Sequence, residues 1–202
     1  MTSEHAAMNG SHLARLEATL RAFEPQVPRL EAWGRRAAQV LVAGGRLLAC
    51  GNGGSAEQAQ HLTAELVGRY QEERQPLAAL TLTHDMAAVT AIGNDYGAGQ
   101  IFARQVRAHG RPGDLLVCLS SSGRSPNVIA AAEAAAGIGM TAWALTGPGP
   151  NPLADACAEA VTVDAPMTST VQEVHLAAIH ILCAAVDATV RDGIGAVLEA
   201  VR

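Results

Sequence analysis

Five short apolar runs, at 46–50, 78–83, 114–119, 141–146 and 160–164, recur along this chain of 202 residues. That recurrence constrains the fold more than any other feature, because helix-length segments separate most of the runs. Strands that alternate with helices imply crossover connections and a parallel sheet. Helical spacing of apolar residues predicts helices at 55–69, 85–92, 98–109 and 125–136. The last segment, 169–200, reads as one long helix that relaxes near Gly193. Upstream, Leu13, Leu16, Leu20 and Phe23, then Val27, Leu30, Trp33, Ala37, Val40 and Leu41, keep a helical period from Ser11 to Gly44. Pro25 and Pro28 bend or break that stretch, and residues 1–10 read as a frayed terminus. The expected architecture is α/β, a three-layer, doubly wound, mostly parallel five-stranded sheet with N-terminal helices and a long C-terminal helix. A chain of this length makes one domain over 1–202 the default, with a helical segment at 1–44 and the core and final helix at 45–202.

The composition narrows the class of function. Hydrophobic residues make up 49% of the chain, largely Ala, Val, Leu and Ile with few aromatics, which suits close packing of helices on a sheet. A formal net charge of −5 gives no basic footprint for nucleic acid. No charged-then-apolar leader is visible and no run reads as long enough to span a bilayer, so a soluble cytoplasmic protein without membrane partners is expected. Cys50, Cys118, Cys157 and Cys183 show no metal-knuckle spacing and read as buried, reduced thiols. All 14 basic residues are arginine. Without lysine there is no Schiff base and no phosphate-loop lysine, so a phosphate must be held by backbone N–H groups, hydroxyls or arginine.

In open parallel sheets, ligands sit beyond the carboxyl ends of the strands, and two candidate anion loops fall there. Gly51-Asn52-Gly53-Gly54-Ser55 follows the first apolar run, and Ser120-Ser121-Ser122-Gly123-Arg124-Ser125-Pro126 follows the third. Glycines permit the tight turn, and each loop opens a helix whose first N–H groups suit an anion. A plain cap or turn is the bland alternative for either alone. Just after the first loop, His61 and Glu65 are four apart, about 40° around a helix. Such a pair serves as metal ligands, as a base with its orienting partner, or as an ordinary surface contact. Gln172 and His180 are eight apart on the final helix, about 80° around it. His175 reads as structural or supporting. His84-Asp85 suits a helix cap, and Gly93-Asn94-Asp95-Tyr96-Gly97 reads as a polar turn between two helical runs.

Taken together, GNGGS at 51–55, HLTAELVGRY at 61–70, GNDYG at 93–97, SSSGRS at 120–125 and VQEVHLAAIH at 171–180 resemble the sugar isomerase (SIS) family, in its phosphoheptose isomerase branch. The likeness covers nearly the whole chain. It implies the SIS fold and an aldose–ketose isomerisation, through an enediol, of D-sedoheptulose 7-phosphate to D-glycero-D-manno-heptose 7-phosphate, the first step of nucleotide-activated heptose biosynthesis. On the matching positions it implies Glu65 as base and His180 as acid. Ser55, Ser120, Ser121, Ser122 and Ser125 would hold phosphate or neighbouring hydroxyls, and Asn52, Gly53, Gly54, Arg69, Asn94, Asp95 and Gln172 would line the sugar. It implies zinc, one per subunit, on His61, Glu65, Gln172 and His180. It also implies a homotetramer with active sites at subunit interfaces, packed through the helical segment 1–44. Ser121 stands where relatives often carry threonine, Arg124 where they carry a small polar residue, and Gln58 where they often carry aspartate.

The resemblance leaves rivals within the same fold. A non-catalytic adaptor of the replication-initiation type keeps a glycine–serine loop but lacks the full acid/base pair. Glu65 and His180 are both present here, which favours an enzyme. An isomerase of another sugar phosphate shares the cradle, and sugar-phosphate sensors usually add a DNA-binding domain for which this chain has no room.

Overall fold

A computed structural model describes the backbone of residues 3–200 and the side chains of residues 11–193. Helix α1 (Ser3–Phe23) passes through a short 3-10 turn at Glu24–Gln26 into α2 (Val27–Val42). The core then alternates: β1 (Leu47–Gly51), α3 (Gly54–Val67), β2 (Ala79–Thr81), α4 (Met86–Tyr96), α5 (Ile101–His109), β3 (Leu115–Ser120), α6 (Pro126–Gly137), β4 (Thr141–Thr146), α7 (Pro152–Ala156), β5 (Glu159–Thr162) and α8 (Thr168–Ala200). All five strands are parallel, in the order β2-β1-β3-β4-β5. The expected mostly parallel sheet is therefore wholly parallel.

Period-two alternation divides the strands between two cores. Leu47 and Ala49, Leu115 and Val117, and Trp143 and Leu145 point to the face covered by α2, α3 and α8. Leu48 and Cys50, Leu116 and Cys118, and Ala142 and Ala144 point to the face covered by α5 and α6. On the first face the Trp33 and Trp143 rings stack at 4.9 Å with planes 6° apart, joining α2 to β4. On the second, Ala131, Ala132, Ala134 and Ala135 bring α6 close to the sheet. The final helix spans one side of the first core and buries Val171, Val174, Ala178, Ile179, Leu182 and Val186 there.

Several expectations are corrected. The segment taken as frayed is helical from Ser3, since no proline interrupts it before Pro25 and extending a formed helix is easy. Residues 1 and 2 lie outside the described residues. Pro25 and Pro28 break the N-terminal helix as expected, each in the first turn of a new element. Helix α8 continues through Gly193 to Ala200 without relaxing, because one glycine costs only about 1 kcal/mol in a helix. The loop at 147–152 ends in a short helix, α7, capped by the Asn151 side chain, which accepts the Ala154 N–H at 3.0 Å. Gly93 to Tyr96 form the last turn of α4, and the helix stops at Gly97, whose φ of +82° suits glycine. Asp85 caps α4 as anticipated, accepting the Ala88 N–H. The stretch Thr168–Gly193 is long and apolar enough to span a bilayer, contrary to the sequence reading; half of it is buried inside the fold, as in a core helix.

Cys50, Cys118 and Cys183 are buried and Cys157 is half-buried, all with free thiols. Cys50 and Cys118 are register partners, their sulfurs 3.9 Å apart. Hydrogen bonding with Cys157 and Cys50, then burial, holds the Cys118 thiol well above its usual range. Burial pushes Cys183 up to about 12. Cys118 and Cys183 are inert core thiols, and Cys157 departs from the expected full burial.

Candidate active site

The strand order places the two anion loops side by side. The sequence runs outward from β1 to β2, returns, and continues from β3 to β5, so the order reverses between β1 and β3. A crevice opens at such a switch point beyond the strand ends. Gly51–Ser55 leaves β1 there and Ser120–Ser125 leaves β3, with Gly51 paired to Leu119 in register. The loops are tied together: the Asn52 amide donates to Asn127 Oδ1 and the Asn127 amide donates back to Asn52 Oδ1, both at 2.9 Å.

Gly51 in the first loop and Gly147 beside the second leave no room for a side chain. A Cβ on Gly51 would stand 2.6 Å from the Ser55 carbonyl oxygen, and one on Gly147 2.0 Å from that of Ser121. In the serine loop, Ser120 Oγ lies 3.4 Å from Ser122 Oγ and 3.1 Å from Ser125 Oγ, so three hydroxyls converge. Ser125 stands at the N-cap of α6 without using its hydroxyl as a cap, leaving that group to the cluster. Ser55 is buried at the first turn of α3, Ser121 is half-buried, and Arg124 is exposed. Hydroxyls and two helix starts at one crevice are groups that suit an anion without any lysine.

The chemistry-bearing cluster stands between α3 and α8. His61 Nε2 lies 3.3 Å from Glu65 Oε1 on the same face of α3, as their spacing predicted. His180 crosses from α8 to place its Nε2 3.0 Å from His61 Nε2, the rings meeting edge-on at 5.2 Å. Two facing imidazole nitrogens at that distance share a proton or give it up to a cation. Ligand atoms of His61, Glu65 and His180 all lie within 4.8 Å of one another, and this nitrogen and carboxylate donor set fits a divalent transition metal. Gln172 sits nearer the glycine loop. Its side-chain amide packs on Gly54, where a Cβ would come within 2.8 Å of it, and its backbone carbonyl accepts the Gln58 amide. Gln58 thus fastens α3 to α8, a role its sequence position did not suggest.

Other expected site residues are not joined to this cluster by hydrogen bonds among the described residues. Arg69 is exposed, donating to the Gln71 carbonyl at 2.9 Å and lying 3.9 Å from Glu73. Asn94 and Asp95 are exposed at the end of α4, and the Asn94 amide donates to Asp95 at 2.8 Å. Conversely, sequence reading missed Tyr70, whose ring stacks on His180 at 5.5 Å and 29°, and Asn127, which bridges the loops. Tyr70 lay within the segment at 61–70, where an aromatic closing a His/Glu helix was the available signal. Asn127 had none without the strand order.

His175 is buried on the inner face of α8 and donates from Nε2 to the Thr146 carbonyl at 3.1 Å, linking that helix to the end of β4. Burial lowers its pKa from 6.5 to about 4, against a smaller opposing effect of the Thr146 bond. The unfolded chain therefore binds the extra proton between about pH 6.5 and 4, and stability falls as pH drops through that window. The expected loss is on the order of 3 kcal/mol by pH 4. Urea unfolding from pH 7.5 to 4 should show it, with a flatter profile in His175→Gln, which keeps an N–H donor. Equal profiles would remove His175 as the source.

Comparison with known proteins agrees with this geometry. The SIS domain family model matches residues 11–147. A phosphoheptose isomerase from Streptomyces coelicolor is 55% identical over 182 residues, covering 90% of this chain and 79% of that protein. The structure of a phosphoheptose isomerase from Neisseria gonorrhoeae superposes with a TM-score of 0.83 at 39% identity, over 91% of this chain and 98% of that one. One from Francisella tularensis gives 0.84 at 35% identity, over 93% and 99%. Such likeness runs through both loops and the helices that carry the histidines, and the chain belongs to the SIS domain family, in its phosphoheptose isomerase branch.

Proposed function

We propose that this protein isomerises D-sedoheptulose 7-phosphate to D-glycero-D-manno-heptose 7-phosphate through an enediol, an aldose–ketose isomerisation. The observation that carries the reading is the arrival of His180 from α8 at His61 and Glu65, beside two tethered anion loops. A phosphate at Ser55, Ser120, Ser121, Ser122 and Ser125, with Asn52, Gly53 and Gly54 along the chain, anchors one end of the sugar. Anchoring the remote end makes the proton transfers effectively intramolecular. Glu65 takes the proton from the carbon beside the carbonyl and returns it to the neighbouring carbon. His180 moves the proton between the two oxygens. Glu65 Oε1 is the oxygen turned to His61, which leaves Oε2 for the substrate carbon.

His61, Glu65 and His180 would hold zinc, with Gln172 as a fourth donor, and a bound zinc would polarise the carbonyl and stabilise charge on the enediolate oxygen. The tension between Glu65 as ligand and as base eases if its two oxygens divide the roles. Arg69, Asn94 and Asp95 belong to the sugar-chain contacts in this reading, and they reach the crevice on substrate binding or from a neighbouring subunit. An open apolar groove between α1, α2 and α8, lined by Leu13, Leu16, Leu20, Phe23, Val27 and Ile181, supports a homotetramer packed through the N-terminal helices. Leu13 is 66% exposed in the single chain, a costly arrangement unless covered. We place the enzyme in the cytoplasm, without nucleic-acid or membrane partners.

A panel of phosphosugars, assayed with added zinc and again with a chelator, tests the function. Turnover of the seven-carbon ketose phosphate is expected, faster with zinc. Binding without turnover under both conditions would leave a non-catalytic adaptor as the better description, and preference for another sugar phosphate would change the substrate.

A further inference from the structure

The segment leaving α3 makes contacts to which the proposed chemistry assigns no role. The helix stops at Gly68, and the chain then crosses the junction of α3 and α8 before reaching β2. Tyr70 lays its ring on the His180 imidazole. The Gln71 N–H donates to Asp187 Oδ2 at 3.3 Å. Arg74 donates from Nε to Asp187 Oδ1 at 2.7 Å, from Nη1 to the Leu66 carbonyl at 2.9 Å, and from Nη2 to the Glu65 carbonyl at 2.6 Å.

Arg74 and Asp187 side chains are only 4% and 7% exposed. Removing two charges from water is expensive, and such a pair is weak evidence for stability as such. Its geometry accounts for it better. The rigid guanidinium fork takes the last carbonyls of α3, where a cation also suits the helix end. One of those carbonyls belongs to Glu65. Asp187 lies seven residues beyond His180 on α8, about two helical turns. A single ion pair therefore fixes the backbone of Glu65 to the helix that carries His180, and the same segment presses an aromatic ring against the histidine.

We propose that the segment 69–75, locked by Arg74 and Asp187, positions the acid/base pair, with Tyr70 holding the plane of His180. Tyr70, Arg74 and Asp187 are positioning residues. The inference rests on the reading of Glu65 and His180 as the reacting pair.

Tyr70 is half-buried, so its replacement should leave a folded protein, checked by the melting midpoint. Tyr70→Leu is expected to lower kcat about tenfold or more with KM within about twofold, since displaced reacting groups slow the chemistry while the phosphate cradle is intact. Tyr70→Phe keeps the stacked ring and should restore kcat. Unchanged kcat in Tyr70→Leu, or an equal fall in Tyr70→Phe, overturns the proposal. Should the wild type show no isomerase turnover, the isomerase reading fails by itself, and positioning is then judged by cobalt(II) titration. Affinity about tenfold weaker in Tyr70→Leu but not in Tyr70→Phe supports it, and equal affinities in all three proteins overturn it.

Discussion

Glu65→Gln is expected to lower kcat by about three orders of magnitude, within the range general-base catalysis contributes. Glutamine keeps the size and one carbonyl oxygen to face His61, so the packing between α3 and α8 has no reason to change. What it cannot do is accept a proton from carbon. The two anion loops are separate from that carboxylate and held by their own Asn52–Asn127 bonds. KM for the phosphosugar should therefore move only a few-fold. Exchange of the substrate carbon's hydrogen with heavy water isolates the same step, and it should vanish with turnover. A variant that retains a tenth of the wild-type rate, or still exchanges that hydrogen, removes Glu65 as the base. The nearby His180 would then be the next residue to test in that role.

Asp187→Ala is expected to destabilise the fold by about 3–5 kcal/mol, the cost of leaving a buried charge without its partner. Arg74 would keep its carbonyl contacts to Glu65, Leu66 and Gln75 yet lose the only carboxylate paired with it among the described residues. Denaturant unfolding would measure the loss directly. The exposed pair of Arg191 and Glu72, 2.7 Å apart with both side chains more than half exposed, provides the contrast. Glu72→Ala should leave the unfolding midpoint where it was, because solvent screens such pairs. Replacing Arg74 by Met together with Asp187 by Leu should recover only part of the lost stability, because the Glu65 carbonyl and the Gln71 N–H lose their partners as well. An Asp187→Ala protein as stable as the wild type would mean that water reaches Arg74 and supplies what the carboxylate did.

The sheet was legible because its strands are buried on both faces and stand out as continuous apolar runs, such as Leu115–Leu119. The second strand shrank to three residues because it lies at the sheet edge, paired only to β1. Helix α7 hid inside a glycine- and proline-rich stretch, since five residues carry too little periodicity to register. At the site, local spacing was enough for His61 and Glu65, which share a helix face. Periodicity could not bring His180 to them; only resemblance to the family named it. Arg74 and Asp187, 113 residues apart, left no trace in either. A buried arginine reads in sequence like any solvated one, and what distinguishes it is the end of a helix it cannot see until the chain is folded.

His180, the acid in the proposed reading, stands on the last helix, 115 residues after Glu65. In chain order β1 and α3 come early, carrying the glycine loop, His61 and Glu65 on adjacent elements. Without α8 that half-site would lack His180, Asp187 and the apolar side chains that cover the first core. The same helix that seals the first core thus brings His180 to His61 and Glu65, so a change that disturbs its packing would disturb that cluster as well.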